Sequence, residues 1–336
     1  MTKRTIKSKY SLAGASLALA LVLGGCTALD ALAPADDEAV VTEDAEAPVV
    51  EATEEVVEAV QETVEEAVQQ VAKMSSEAKL AAILEAQPED VQARFDARHP
   101  AETIAFFGIE PGMKVAEALP GGGWYTKILL PYLGEEGALV GAHYPDELWP
   151  LFNFGDDWAA ARVEATATWP ERAAEWDIAN GAKIKSVQLT KMPESADGKL
   201  DAVLFIRALH NLNRFSNDET DFIGDTLAET YRVLKPGGIV GVVQHQAPDA
   251  NSDEWANGSN GYLKKSAVIA AFEAAGFVLE GSSDVNQNAA DVPTEEEFVW
   301  RLPPSLAGTE EGSEERAAYQ AVGESNRMTL KFRKPE

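Results

Sequence analysis

The sequence predicts an α/β domain built on a doubly wound, seven-stranded, mostly parallel sheet. Three observations carry this. Short apolar runs alternate with helical patterns at βα spacing from about residue 76 onward. The run from Asp201 to Ile206 is almost unbroken in apolarity, as expected of a strand buried on both faces. Pro236-Gly237-Gly238 separates a long helix from the fifth strand, and two strand patterns close the chain.

The elements follow in order. Glu77 to Glu85 reads as a helix capped by Ser75 or Ser76, Glu89 to Asp96 as a second, and Pro100 to Phe107 as a third. Gly108, Pro111 and Gly112 then break the chain. Met113 to Leu119 is the first strand, Gly123 to Leu133 a helix, and Ala138 to His143 the second strand. Residues 146–180 read as helical and hold Trp149, Trp158, Trp169 and Trp176. Ile184 to Leu189 and Asp201 to Ile206 are the third and fourth strands. Asp218 to Leu234 is a helix, stopped at Lys235, and Ile239 to Gln244 is the fifth strand. A helix over Lys265 to Ala275 ends at Gly276. Val278 to Ser282 and Met328 to Phe332 complete the set, with long connections at 246–263 and 283–326.

The N-terminus has a different character. Lys3, Arg4, Lys7 and Lys9 precede an uncharged stretch from Ser11 to Gly25, too short for a spanning helix of about 20 apolar residues. The stretch ends Leu23-Gly24-Gly25-Cys26, and Cys26 is the only cysteine. This resembles the signal peptide and lipobox of bacterial lipoprotein precursors. The resemblance implies removal of residues 1–25, lipidation of Cys26, and a membrane-anchored protein on the periplasmic side. Thr27 after the cysteine, where an Asp retains such proteins in the inner membrane, implies the outer membrane. Removing the four positive charges of the leader takes the net charge from −28 to −32.

Residues 26–74 read as an acidic tether. Fourteen acidic and no basic residues lie between Asp30 and Glu66, a composition that cannot bury enough apolar surface to offset chain entropy. Val57, Val60, Val64, Ala67 and Val71 recur at helical spacing. The stripe falls short of the three or four heptads a coiled coil needs, and no pattern assigns an oligomeric state. The folded domain spans residues 75–336.

The strong negative charge excludes a general nucleic-acid binder. One cysteine excludes an internal disulfide and a Cys-rich metal framework. Asp249, Asn251 and Asp253 have the 1-3-5 spacing of a calcium loop, but Glu254 stands where its glycine belongs and Asn260 where its closing Glu belongs. No metal site is expected, and neither a nucleophile elbow nor a phosphate loop is present.

The first strand runs into Glu117-Ala118-Leu119-Pro120-Gly121-Gly122-Gly123 and then a helix. A turn here lets backbone approach a ligand, which needs glycine. The motifs Arg98-His99-Pro100-Ala101-Glu102-Thr103, Pro120-Gly121-Gly122-Gly123-Trp124-Tyr125-Thr126, Arg207-Ala208-Leu209-His210-Asn211, Val299-Trp300-Arg301-Leu302-Pro303-Pro304 and Gly323-Glu324-Ser325-Asn326-Arg327-Met328-Thr329-Leu330 resemble a family of predicted bacterial class I S-adenosylmethionine-dependent methyltransferases. The resemblance spans residues ~95–334. It implies a Rossmann-like fold with S-adenosylmethionine at the glycine turn, held by Glu117, Gly121, Gly122, Gly123, Tyr125, His143 and Arg207. Three departures stand out. Val243-Gln244-His245-Gln246 stands where Asp-His-Arg is expected in relatives, which removes a charged pair beside His245. Leu119 replaces the first glycine of the usual motif. His143 ends the second strand where an acidic residue usually meets the ribose.

Ligands in open parallel sheets bind at the carboxyl ends of the strands. His143, Arg207, His210 and His245 all fall there. His210 and His245 are the candidate catalytic bases, since imidazole suits proton transfer near neutral pH. Arg207 and Arg327 are candidate clamps for the cofactor carboxylate, or partners of structural acids. Two functions remain open: methyl transfer to a small-molecule or lipid acceptor, and ligand binding without catalysis by an exported lipoprotein. A nicotinamide oxidoreductase fits the Pro-Gly-Gly and the terminal strand pair less well.

Overall fold

The computed structural model describes residues 74–176, 178 and 181–336. The expected signal peptide, Cys26 and the tether up to residue 73 lie outside them. Seven strands form one sheet: β1 (Lys114–Ala118), β2 (Ala138–His143), β3 (Lys183–Gln188), β4 (Leu200–Ile206), β5 (Leu234–His245), β6 (Val278–Ser283) and β7 (Arg327–Arg333). Their order is β3-β2-β1-β4-β5-β7-β6. The first five are parallel; β7 runs antiparallel to both β5 and β6. This is the expected class I methyltransferase arrangement, and the strand order reverses between β1 and β4.

Helices cover both faces: α1 (residues 74–85), α2 (Glu89–Gln92), α3 (Phe95–Arg98), α4 (Pro100–Phe107), α5 (Thr126–Leu133), α6 (Asp156–Ala167), α7 (Trp169–Ala174), α8 (Leu209–Phe215), α9 (Phe222–Val233), α10 (Lys265–Ala274) and α11 (Glu314–Val322). Alternation along β4 shows why its sequence is apolar throughout. Val203 and Phe205 pack on one face with Leu227, Phe272 and Phe332. Ala202 and Leu204 pack on the other with Phe107, Ile128 and Leu129. Each large side chain buried this way contributes about 1.5–3 kcal/mol. Gly141 in β2 has a packing reason, since a Cβ there would stand 2.6 Å from the ring of buried Trp169.

Several boundaries differ from expectation. The helix expected over residues 89–96 splits at Arg94 (φ −110°, ψ 4°), whose side chain is drawn to Glu324; a tertiary ion pair outweighs local preference. The 146–180 stretch opens with a 3₁₀ helix over Asp146–Phe152 before α6 and α7. The helix expected from Asp218 starts at Phe222, because the Asn217 side chain accepts from the Glu219 and Thr220 amides and Asp221 caps Gly224. The helix after the glycine turn begins at Thr126, not Gly123, and β5 begins at Leu234, not Ile239. Two helices were not anticipated: α8 directly after β4, and α11 inside the 283–326 connection. Among the described residues no helix is long and apolar enough to cross a membrane.

Candidate functional site

The strand order reverses between β1 and β4, and in such folds ligands bind at the carboxyl ends of the strands beside that point. Glu117 is the fourth residue of β1 and is buried. Its Oε2 accepts a 2.6 Å hydrogen bond from the Thr126 hydroxyl. Burial pushes the Glu117 carboxyl up to about 7, against the lowering effect of Thr126. It therefore ties β1 to the start of α5 from behind the turn.

The turn itself is left-handed at three places: Leu119 (φ 51°), Gly121 (φ 56°) and Gly123 (φ 77°). Leu119 stands where the usual motif has glycine, and it adopts the backbone that glycine supplies there, at a strain of about 1–2 kcal/mol. Gly121 and Gly122 are exposed, and a Cβ on Gly121 would meet only the Leu119 carbonyl oxygen at 3.8 Å. Gly123 is buried, and a Cβ there would overlap the Trp176 ring. Tyr125 is buried and donates to the Arg98 carbonyl at 3.3 Å.

His143 ends β2, buried, with its ring edge-on to Trp169 at 5.7 Å. Burial, reinforced by Arg172, lowers it to about 4, so the ring is neutral near pH 7. Its Nε2 has no hydrogen-bond partner. Two more buried oxygens without partners lie close by in the chain or the sheet. They are Oδ1 of Asp146, three residues past β2, and Oε1 of Gln188, the register partner of His143 at the end of β3. Asp146 and Gln188 also line a cavity of about 390 Å³ with Thr166 and Lys191. Buried polar atoms without partners are uncommon in folded proteins. Asp146 is the first acidic residue after the end of β2. Sequence reasoning missed it because it sits in the following 3₁₀ helix.

Arg207 follows β4 with left-handed backbone (φ 58°). His210 and His245, from α8 and β5, bring their ring centroids to 5.6 Å. His210 Nδ1 is 3.4 Å from the Gln244 amide, and His245 Nδ1 is 2.6 Å from Ser325 Oγ. Burial lowers His210 to about 4. Burial, then the neighbouring His210 and Arg207, holds His245 well below the usual range. Both rings are neutral at physiological pH. They accept hydrogen bonds readily and retain a proton poorly.

The motifs quoted above meet here although they lie far apart in sequence. Arg98, Tyr125, Arg207, Ser325 and Arg327 surround one another, and Arg98 stacks its guanidinium on Trp124 at 4.5 Å. Glu324, not anticipated as a site residue, bonds Arg94, Arg98 and Arg327. Arg301 has a supporting role: it pairs with buried Asp291 at 3.0 Å and donates to the Tyr262 hydroxyl at 3.0 Å. Asp291 also accepts from the Asn326 amide at 2.8 Å, which fixes the loop ahead of β7.

No protein-family model matches the chain, and no curated protein matches it. Solved structures share its fold at low identity. The cyclase SpnF is 18% identical, over 71% of this chain and 80% of its own, with a TM-score of 0.45. A SAM-dependent methyltransferase from Aquifex aeolicus is 18% identical over 62% of this chain and 93% of its own, with a TM-score of 0.41. Geranyl diphosphate C-methyltransferase from Streptomyces coelicolor, solved with S-adenosyl-L-homocysteine, is 13% identical over 70% and 77%, with a TM-score of 0.43. The fold itself is read from the strand order, which is that of the class I methyltransferases.

Proposed function

We propose that this chain is an S-adenosylmethionine-dependent methyltransferase acting on a small-molecule or lipid acceptor. The observation that supports it is the meeting, at the carboxyl ends of β1, β2, β4 and β5, of an open glycine turn, unpartnered ribose-type acceptors and two neutral histidines. In this reading Gly121 and Gly122 let the cofactor approach the backbone, with Glu117 and Tyr125 fixing the turn and the helix behind it. His143, Asp146 and Gln188 offer acceptors to the ribose hydroxyls. S-adenosylmethionine supplies an electrophilic methyl group on a sulfonium. The transfer is a direct displacement, so the protein acts chiefly by positioning. His210 or His245 accepts the acceptor's proton, and their low proton affinity lets it pass on to solvent.

A calorimetric titration of the mature chain tests this. S-adenosylmethionine and S-adenosylhomocysteine are expected to bind with micromolar dissociation constants, about −8 kcal/mol. No binding at millimolar cofactor rejects the enzyme and leaves the second reading, a ligand-binding lipoprotein on an inherited fold. The packing of Trp176 on Gly123 is the observation that favours this alternative.

The chain is further proposed to be anchored by lipid on Cys26, facing the periplasm at the outer membrane. Cys26→Ala is expected to move the protein from the membrane to the soluble fraction. An intact mass of the wild type without acyl groups rejects the anchor.

A further inference from the structure

Four arginines converge on a single carboxylate beside this site. Arg94 and Arg98 flank α3, Arg207 follows β4, and Arg327 opens β7. Glu324 pairs with Arg94, with Arg98 at 3.2 Å and with Arg327 at 3.1 Å. The side chains of Arg98, Arg327 and Glu324 are only 3%, 4% and 8% exposed. Arg327 is fully engaged, since it also donates to the carbonyls of Ala97 and, at 3.2 Å, Ser325. Arg207 is not. Among the described residues its guanidinium makes no hydrogen bond and no ion pair, although it feels the charges of Arg327, Glu324 and Arg94. It also keeps partial solvent exposure, which makes it the reachable edge of the cluster.

Four cations against one carboxylate leave a formal excess of three positive charges. This happens in a chain with 56 acidic and 28 basic residues. Burial, and then the Arg207 charge, lowers Arg98 to about 9. Burial, and then the Arg327 charge, lowers Arg207 to about 10. Arg98 and Arg207 therefore remain cationic near neutral pH and repel each other. Buried like charges destabilise a fold unless a partner compensates them. Arg207 is moreover held in left-handed backbone, a strain that concentrates at functional positions. The fork of a guanidinium matches carboxylate and phosphate oxygens two at a time.

We propose that Arg207, backed by Arg98 and Arg327, binds an oxyanion, a phosphate or carboxylate, carried by the acceptor substrate. The term acceptor rests on the methyltransferase reading; the anion site rests on the charge geometry alone. The cofactor's own carboxylate is the other source of such an oxyanion. It fits less well, because S-adenosylmethionine carries a sulfonium and an ammonium and is a net cation. A phosphate dianion reduces the surplus of three positive charges to one.

The test titrates the mature wild type with inorganic phosphate at constant ionic strength, with and without saturating S-adenosylhomocysteine. Phosphate is expected to bind in both cases. Arg207→Met is expected to weaken it at least tenfold and Arg207→Lys to give an intermediate value. S-adenosylhomocysteine affinity should stay within about twofold in both variants. A loss of S-adenosylhomocysteine affinity in Arg207→Met as large as the loss for phosphate assigns the arginine to the cofactor, as the resemblance implies, and overturns the acceptor assignment. The melting temperature of Arg207→Met should not fall, because an uncompensated charge has been removed. Absence of phosphate binding in the wild type, or equal binding in Arg207→Met, overturns the proposal. Phosphate displaced by S-adenosylhomocysteine but not by methylthioadenosine, which lacks the amino-acid part, assigns the cluster to the cofactor and overturns the acceptor assignment. Phosphate binding without any cofactor binding keeps the anion site and rejects the methyltransferase reading.

Discussion

Glu324→Gln is expected to cost about 3–5 kcal/mol of stability, the scale for removing one partner of a buried ion pair. For a domain of this size that lowers the melting temperature by roughly 10 °C. The glutamine keeps the shape of the side chain, so the loss reports charge. Burial alone would raise the Glu324 carboxyl, but the guanidiniums of Arg98, Arg327, Arg94 and Arg207 hold it below the usual carboxylate range. Without that charge, four guanidiniums face one another in an apolar setting. Adding Arg207→Met should recover part of the loss, because one repulsive charge goes with it. Thermal unfolding of the two single variants and the double variant measures this. A Glu324→Gln melting point within 2 °C of wild type would mean that solvent already screens the cluster.

The second large effect concerns the glycine turn. Gly121→Val is expected to abolish binding of S-adenosylhomocysteine while the domain remains folded. The two consequences separate because a Cβ at this position meets no other part of the protein closer than the Leu119 carbonyl oxygen, 3.8 Å away. The fold loses only the backbone strain of a β-branched residue at positive φ, about 1–2 kcal/mol. A ligand lying against the turn instead meets an isopropyl group. Glu117→Gln should weaken binding less, by about 1.5 kcal/mol or roughly tenfold, because the Thr126 hydrogen bond survives and the carboxyl is already partly protonated. Calorimetry with circular dichroism on the same samples checks both. Unchanged affinity in Gly121→Val would place the cofactor elsewhere.

Much of the fold was legible in the sequence because the sheet is buried on both faces. Unbroken apolar runs such as that of β4 leave little ambiguity about a central strand. The missed helix α11 shows the opposite case. It buries no residue, so no apolar stripe marks it, and the available cue was Ser313, whose side chain accepts from the Arg316 amide at 3.1 Å. The candidates Glu117, the glycines, His143 and Arg207 could be named from the sequence because each stands at or just after the end of a strand pattern. The charge cluster could not, because Arg94 and Glu324 stand 230 residues apart and only the placement of β7 beside β5 brings them together. Leu119 hid in the same way. Its identity argues against a glycine-type turn, while its backbone adopts one.

The position of β7 also governs how the chain can fold as it is made. β7 is the last strand in sequence, yet it lies inside the sheet, and β6 reaches β5 only through it. Synthesis delivers residues at about 5–20 per second from the N-terminal end. From the completion of β5 at His245 until Arg327 is made, β5 presents an open edge, and Glu324 and Arg327 are absent from the arginines they neutralise or join. The parallel half of the sheet can collapse early, but the sheet becomes continuous only when the segment from Glu324 to Arg333 arrives. A nascent chain of this design cannot close its sheet until the segment from Glu324 to Arg333 has emerged.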